Sequence, residues 1–367
     1  MARIAPGTLA EYYYTIYRTK IYRLVDINIS CYINEKNKNS LRCTLNQLME
    51  LGTDSLAKEL YGFCAFGSLA ATKQWQLGTN VYDRDWDLLV VLDCCRVDAL
   101  EAVRAEYDFI GDVGAIWSVG STSKEWIANT FQERYSDQIS ETTYITANGF
   151  AADVLDEEPD WTEWGATQGT WMSTQRWLAP LVSRDVVDSD DLDSCHRIWD
   201  LSDRHEHGHT PYAEDVTDYT IRVGRAESPT KTIVHYMQPH APYLANRSQS
   251  SLDDWQAKPL EELRNGGDKD RIWAEYLDNL RYVLDEVARL LENFSAQKVV
   301  ITADHGELFG EFGLHDHGVG ILHPALRKVP WAETTARDTG TVEPEIDIRT
   351  ETSGDVKETL RNLGYFE

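Results

Sequence analysis

Two uninterrupted apolar runs, each ending in a carboxylate, set the terms on which this chain can fold. The first is LLVVL at 88–92, closed by Asp93; the second is Val299, Val300 and Ile301, which lead to Asp304 and His305 side by side before Gly306 lets the chain turn. Continuous, β-branched runs without polar alternation read as strands buried on both faces, which calls for a mainly parallel sheet covered by helices. The expected fold class is therefore α/β, a three-layer α/β/α sandwich. In such sheets ligands gather at the carboxyl ends of strands, so Asp93, Asp304 and His305 are placed to share one cation. The alternative for the Asp-His pair is a solvated loop.

Composition narrows the partners. Within 367 residues, 61 acidic against 35 basic side chains give a net charge of −26, which excludes a nucleic-acid or anionic-membrane binder unless charge is strongly segregated. Lysine is scarce and carboxylates cluster in stretches such as DVVDSDDLDSC, a balance expected of a protein kept soluble in concentrated salt, against the simpler reading of an ordinary acidic enzyme. The six cysteines, at 31, 43, 64, 94, 95 and 195, show no regular pairing, so reduced thiols are expected. The first thirty residues lack the apolar core of a signal peptide, and no stretch reaches a membrane-spanning length. A cytoplasmic protein with no membrane span is expected, and nothing here sets its oligomeric state.

Along the chain, residues 1–50 are net positive and tyrosine-rich while the remainder is strongly acidic; the expected division is a helical appendage over 1–80, a catalytic domain over 81–332, and a polar tail with a terminal helix over 333–367. Helical spacing of Val97, Leu100 and Val103 follows the first strand. Thr122 and Glu125, three apart, have the pattern of a capping box opening a helix, with Ser121 and Ser123 beside them. A hydroxyl there sits among free backbone N–H groups in a positive field, where an anionic ester would be held. TTYITANGF (142–150) reads as a strand ending at Asn148. The segment 151–212 reads as an insertion or lid, and its HEHGH tract (His205, His207, His209) as a solvated loop rather than a metal site. Ile233 and Val234 lead to His235, and Pro239 stiffens the loop that presents His240. An amphipathic helix is expected over 268–293.

Asp93, the hydroxyls at 121–123, His235, His240 and the stretch DHGELFGEFGL with His317 and Val329-Pro330, in this order, resemble the alkaline phosphatase superfamily and its sulfatase-like branch over about 86–331. The resemblance implies an alkaline-phosphatase-like sandwich and a metal-dependent hydrolase or transferase that cleaves a phosphate or sulfate ester through a hydroxyl nucleophile. It implies one divalent ion (Zn, Mn, Mg or Ca) on Asp93, Thr122, Asp304 and His305, with Thr122 as nucleophile by its similarity to lipoteichoic acid synthases and phosphoethanolamine transferases. His240 and His317 would contact the transferred group or protonate the leaving oxygen, and His235, Asn148 and Arg96 would contact the anionic ester; for Arg96 a structural pair with Asp98 is the competing role. The Cys-x-Pro-Ser-Arg sequence in which sulfatases carry their oxidised nucleophile is absent from this chain, so a sulfatase would need an atypical nucleophile. A further alternative is an inactive, metal-binding scaffold.

Overall fold

The computed structural model describes residues 53–75, 77–156, 170–199, 210–246 and 252–344. The tyrosines of the first fifty residues, the HEHGH tract and the terminal helix lie outside the described residues. By its internal contacts the chain divides into two units, Met1–Leu60 and Tyr61–Glu367.

The two apolar runs form the middle of one seven-stranded sheet. Its strands are β1 (Leu88–Leu92), β2 (Gly114–Trp117), β3 (Thr142–Thr146), β4 (Ser194–Arg197), β5 (Lys231–Tyr236), β6 (Ala296–Thr302) and β7 (Lys328–Ala336). They lie in the order β2-β7-β6-β1-β5-β3-β4. β6, β1, β5, β3 and β4 run parallel, and only β7 pairs antiparallel with its two neighbours. Every residue of β1 is buried, as its unbroken apolar run requires when both faces are covered.

The helices include α1 (Thr53–Gln74), α2 (Val97–Val103), α3 (Ser123–Thr130), α4 (Phe150–Leu155), α5 (Ala213–Glu227) and α6 (Lys269–Leu291). α6 packs with both α2 and α5, and α3 packs with α4. The expected helix over 268–293 is thus α6, whose buried stripe includes Ile272, Tyr276, Leu280, Val283 and Val287; Asp268 caps it by accepting from Asp270 N and Arg271 N. Among the described residues no helix is long and apolar enough to cross a membrane.

Two expected boundaries move. The segment 151–212 is not wholly an insertion, because β4 within it is hydrogen-bonded to β3 in the main sheet and α4 packs on α3. The folded domain also does not stop at 332: β7 runs to Ala336, and Arg337 N and Thr339 N donate to Leu291 O and Glu292 O. The alternating residues at the end of β7 are polar on the exposed side, which is why composition marked a tail where an outer strand continues.

The register carries the functional side chains to one end of the sheet. Leu92 pairs with Tyr236 and Val91 with Thr302, so Asp93 and Asp304 both leave their strands at the same edge. Beyond Asp304 the chain must turn at once, and Gly306 permits it: a Cβ there would stand 2.0 Å from Ala325 O.

Candidate metal centre and active site

Asp93, Asp304 and His305 converge as their strand positions require, with donor atoms all within 4.8 Å of one another and none of the three exposed at all. His305 Nε2 stands 3.4 Å from Asp304 Oδ2 and 3.7 Å from Asp93 Oδ1. The other ring nitrogen, Nδ1, is 2.8 Å from Gly306 O and donates to it, which fixes the tautomer and leaves Nε2 with a lone pair facing the carboxylates. Asp304 is aimed from behind: its Oδ1 accepts from His305 N at 2.8 Å and from Cys94 N at 3.2 Å.

The hydroxyl that meets this cluster belongs to Ser123, not Thr122. Ser123 Oγ is 3.1 Å from Asp93 Oδ2 and 3.2 Å from His305 Nε2. Thr122 is the N-cap of α3, and its Oγ1 accepts from Glu125 N at 3.2 Å. The expected capping interaction is therefore present, and it is what removes Thr122 from the cluster. The reciprocal half is not made, because Glu125 Oε2 accepts instead from Ser121 N and Ser121 Oγ, at 2.9 and 2.8 Å. Ser121 is held away by these bonds, with its Oγ also 2.8 Å from Gly318 O.

Three residues expected at the substrate take other places. Asn148 Nδ2 donates to Asp93 Oδ2 at 2.9 Å and its Oδ1 accepts from Phe150 N, so it orients a carboxylate. Arg96 is committed to Asp98 and Glu311, at 2.7 and 2.6 Å, and to Glu307 O, with its guanidinium 5.2 Å from the Trp273 ring centre; the structural role accounts for all of it. His235 lies within β5, fully buried, with Nδ1 3.0 Å from Tyr144 Oη and Nε2 3.6 Å from Asp304 Oδ2. It backs the carboxylates rather than facing an incoming ester.

His240 and His317 stand at the other side, their rings 5.4 Å apart, with His317 4.5 Å from the His305 ring. His317 Nδ1 is 3.1 Å from Glu307 Oε2 and 3.2 Å from Asp316 Oδ1. Burial alone would lower the His317 pKa, but the Glu307 and Asp316 charges lift it to about 10; burial prevails at His240, whose pKa falls. The carboxylates split as well. Burial and the Asp304 charge push Asp93 up, whereas the same burial at Asp304 is outweighed by His305 and His235, which hold it low. Glu307, buried beside His317, was missed in the sequence although it is the next acid after Asp304-His305-Gly306.

A cation fits the donor set. Asp93 Oδ1, Asp304 Oδ2 and His235 Nε2 are buried and have no hydrogen-bond partner. Orphaned buried polar atoms cost about 1–3 kcal/mol each, and among the described residues every ion-pair partner of Asp93 and Asp304 is a histidine. Two carboxylate oxygens, one imidazole nitrogen and a hydroxyl are what Zn or Mn accepts, and Mg or Ca less readily for want of more oxygen.

Residues 127–336, more than half of the chain, match the family model described as Sulfatase. The chain belongs to the sulfatase family. No curated protein matches it. Among solved structures, this sulfatase-family chain is similar to the soluble domain of lipooligosaccharide phosphoethanolamine transferase A from Neisseria meningitidis, at 14% identity over 68% of this chain and 76% of that one, with a TM-score of 0.44. It is also similar to phosphonate monoester hydrolase of Agrobacterium radiobacter, at 13% identity over 69% and 68%, with a TM-score of 0.37, and to a putative sulfatase from Bacteroides thetaiotaomicron, at 11% over 76% and 70%, with a TM-score of 0.35. The fold that carries this match is the seven-stranded mixed sheet with its helices, and members of the sulfatase family are hydrolases or transferases.

Proposed function

We propose that the chain is a metal-dependent phosphoesterase or phosphotransferase whose nucleophile is Ser123. The observation that carries this is the placement of Ser123 Oγ, at hydrogen-bond distance from both Asp93 and His305, on the first residue of α3. Asp93, Asp304, His305 and Ser123 would hold the cation. Bound there, a divalent ion lowers the hydroxyl pKa and offsets charge on the ester's non-bridging oxygens.

The remaining work falls to the chain's own groups. Asn148 keeps one Asp93 oxygen engaged and the carboxylate fixed in rotation, so Ser123 Oγ has a single acceptor geometry in which to give up its proton. The N-terminus of α3, whose first residue is Ser123, presents a positive local field to the anionic group attacked by Ser123. His317, positively charged through Glu307 and Asp316, adds attraction for that anion. His240, whose pKa burial depresses, suits proton exchange at the leaving oxygen, a role typically worth about 10²–10⁴-fold in rate.

The test is a side-by-side assay of p-nitrophenyl phosphate, a phenylphosphonate ester and p-nitrophenyl sulfate, on metal-stripped and metal-restored protein in low and multimolar salt. Turnover of the phosphorus esters, dependent on metal and lost in Ser123→Ala, is the expected result. Turnover of the sulfate ester alone would make the chain a sulfatase with a serine nucleophile. A Ser123→Ala protein with undiminished turnover would overturn the assignment.

A further inference from the structure

The buried stripe of α6 contains a residue that apolar packing does not call for. Asn279, one position before Leu280, is not exposed at all. A buried amide is costly unless its hydrogen-bonding capacity is used, and Asn is among the weaker helix formers. Neither packing nor propensity accounts for it.

Its polar atoms are spent on one loop, the segment 239–244 that follows β5. Asn279 Oδ1 accepts from Leu244 N at 2.9 Å, and Nδ2 donates to Pro239 O at 3.1 Å and His240 O at 3.2 Å, with Pro242 O at 3.5 Å. The loop has need of such donors. Pro239 and Pro242 carry no backbone N–H, so local turn hydrogen bonds cannot answer its carbonyls. One side chain from the helix thus ties down the start and the end of the loop together.

His240 is the residue this arrangement fixes. Its backbone N donates to Asp93 O at 3.2 Å, and its ring Nδ1 donates to Ala241 O, a carbonyl of the same loop. The ring takes its orientation from the loop backbone, and the backbone is held by Asn279. His317 differs, because its ring is held by Glu307 and Asp316 near it in its own segment.

We propose that Asn279 is the positioning residue of His240: through the 239–244 loop it sets where the imidazole stands in the active site. The expected readout rests on the reading of His240 as the group that exchanges a proton at the leaving oxygen. As Ser123 Oγ bonds to phosphorus, the bond to the leaving oxygen breaks with its electron pair on that oxygen. That oxygen takes a proton from the imidazole, and the ring is reprotonated from solvent. The loss caused by a displaced ring then grows with the leaving oxygen's need for the proton.

Kinetics of the metal-restored full chain on p-nitrophenyl phosphate and phenyl phosphate test this, because p-nitrophenolate leaves without help and phenolate does not; if sulfate is the ester turned over, the corresponding sulfates replace them. Asn279→Ala is expected to lower kcat on the phenyl ester by about 10²-fold, the scale of a misplaced group, and on the p-nitrophenyl ester by no more than about threefold, with KM unchanged. His240→Ala should show the same preference, and the double variant Asn279→Ala, His240→Ala should be no slower than His240→Ala, since the two residues act as a unit. Asn279→Asp keeps the volume and the acceptor for Leu244 N but lacks the two amide hydrogens, and it should give the same pattern if Asn279→Ala does not fold. Val283→Ala, an apolar truncation on the same stripe, should lower the melting temperature without separating the two esters. An Asn279→Ala protein that turns over both esters normally, one whose pattern across them differs from that of His240→Ala, or a double variant slower than His240→Ala by the full Asn279→Ala factor overturns the proposal. Failure of the underlying reading looks different: His240→Ala and Asn279→Ala would each slow the two esters alike, and a double variant no slower than His240→Ala would then remove the leaving-oxygen role while keeping Asn279 as the residue that places the ring.

Discussion

Helix α3 separates two buried polar clusters that share its first turns and differ in how they are satisfied. On one side, Ser123 faces Asp93 and Asp304, where three buried atoms lack partners. On the other, Glu125 accepts from Ser121 and Gly320 N and pairs with Arg327 at 3.4 Å. Arg327 also donates to Ser118 O and Leu77 O, and nearby Arg184 donates to Asn129, Thr72 and Leu69 O. No polar side-chain atom of Glu125, Arg327, Arg184 or Asn129 is orphaned. Folding would select the second arrangement for stability, because each buried group is answered by protein. The first arrangement is costly by itself, and such a cost is retained where something outside the chain supplies the missing partner.

The largest expected effect is on chemistry at the unsatisfied cluster. Ser123→Ala should lower turnover by roughly 10⁴–10⁶-fold, the scale of losing a nucleophile, with the melting temperature nearly unchanged. Asp304→Asn should abolish turnover and remove one bound metal equivalent, measured by elemental analysis after dialysis. Folding stability in the stripped protein should rise or stay level in Asp93→Asn, because burial and the Asp304 charge already penalise that carboxylate. If Asp93→Asn destabilised the stripped protein by several kcal/mol, the cluster would be structural and the contrast would fail.

The opposite is expected across the helix. Arg327→Ala leaves Glu125 charged and buried, a loss of about 3–5 kcal/mol, readable as a drop in the urea midpoint with an unchanged slope. The activity that survives at low temperature should keep its metal content.

A smaller effect separates the two adjacent hydroxyls. Thr122→Ala removes the cap and should cost about 1 kcal/mol of stability, with turnover kept within a fewfold. The three consecutive hydroxyls at 121–123 show what the sequence could and could not tell. The Thr122-Glu125 spacing correctly located the start of α3, but a side chain that caps has already used its oxygen, so the same inference argues against Thr122 as the hydroxyl at the carboxylates. The position one residue further in, whose side chain makes no cap, is the one that reaches them. The sheet and the Asp93, Asp304, His305 convergence were legible because continuous apolar runs encode both burial and strand direction. Asn148 and His235 were located at the right end of the sheet, yet their roles depended on which neighbour each nitrogen meets, and that is set by strand register two strands away. β4 was not legible: SCHR is too short and polar to announce an edge strand.

The smallest effect concerns Arg96, where a substrate role and a structural role predict different measurements. Burial would raise the Glu311 pKa, but hydrogen bonding to Arg96 holds it below the usual carboxylate value. A depressed folded-state pKa contributes stability that is present above the unfolded pKa and is lost as pH falls through the folded one. Arg96→Gln should therefore be less stable than the unsubstituted protein at neutral pH by no more than about 1 kcal/mol, the scale of partly exposed ion pairs, and the difference should close as the solution is acidified below the carboxylate range. KM for the phosphorus ester should not move, because every guanidinium nitrogen already has a protein partner. A tenfold rise in KM with stability unchanged would instead place Arg96 at the substrate. Charge in this corner would then be spent on the ligand on both sides of Asp93, and the division between a satisfied frame and an unsatisfied centre would have to be redrawn to include α2.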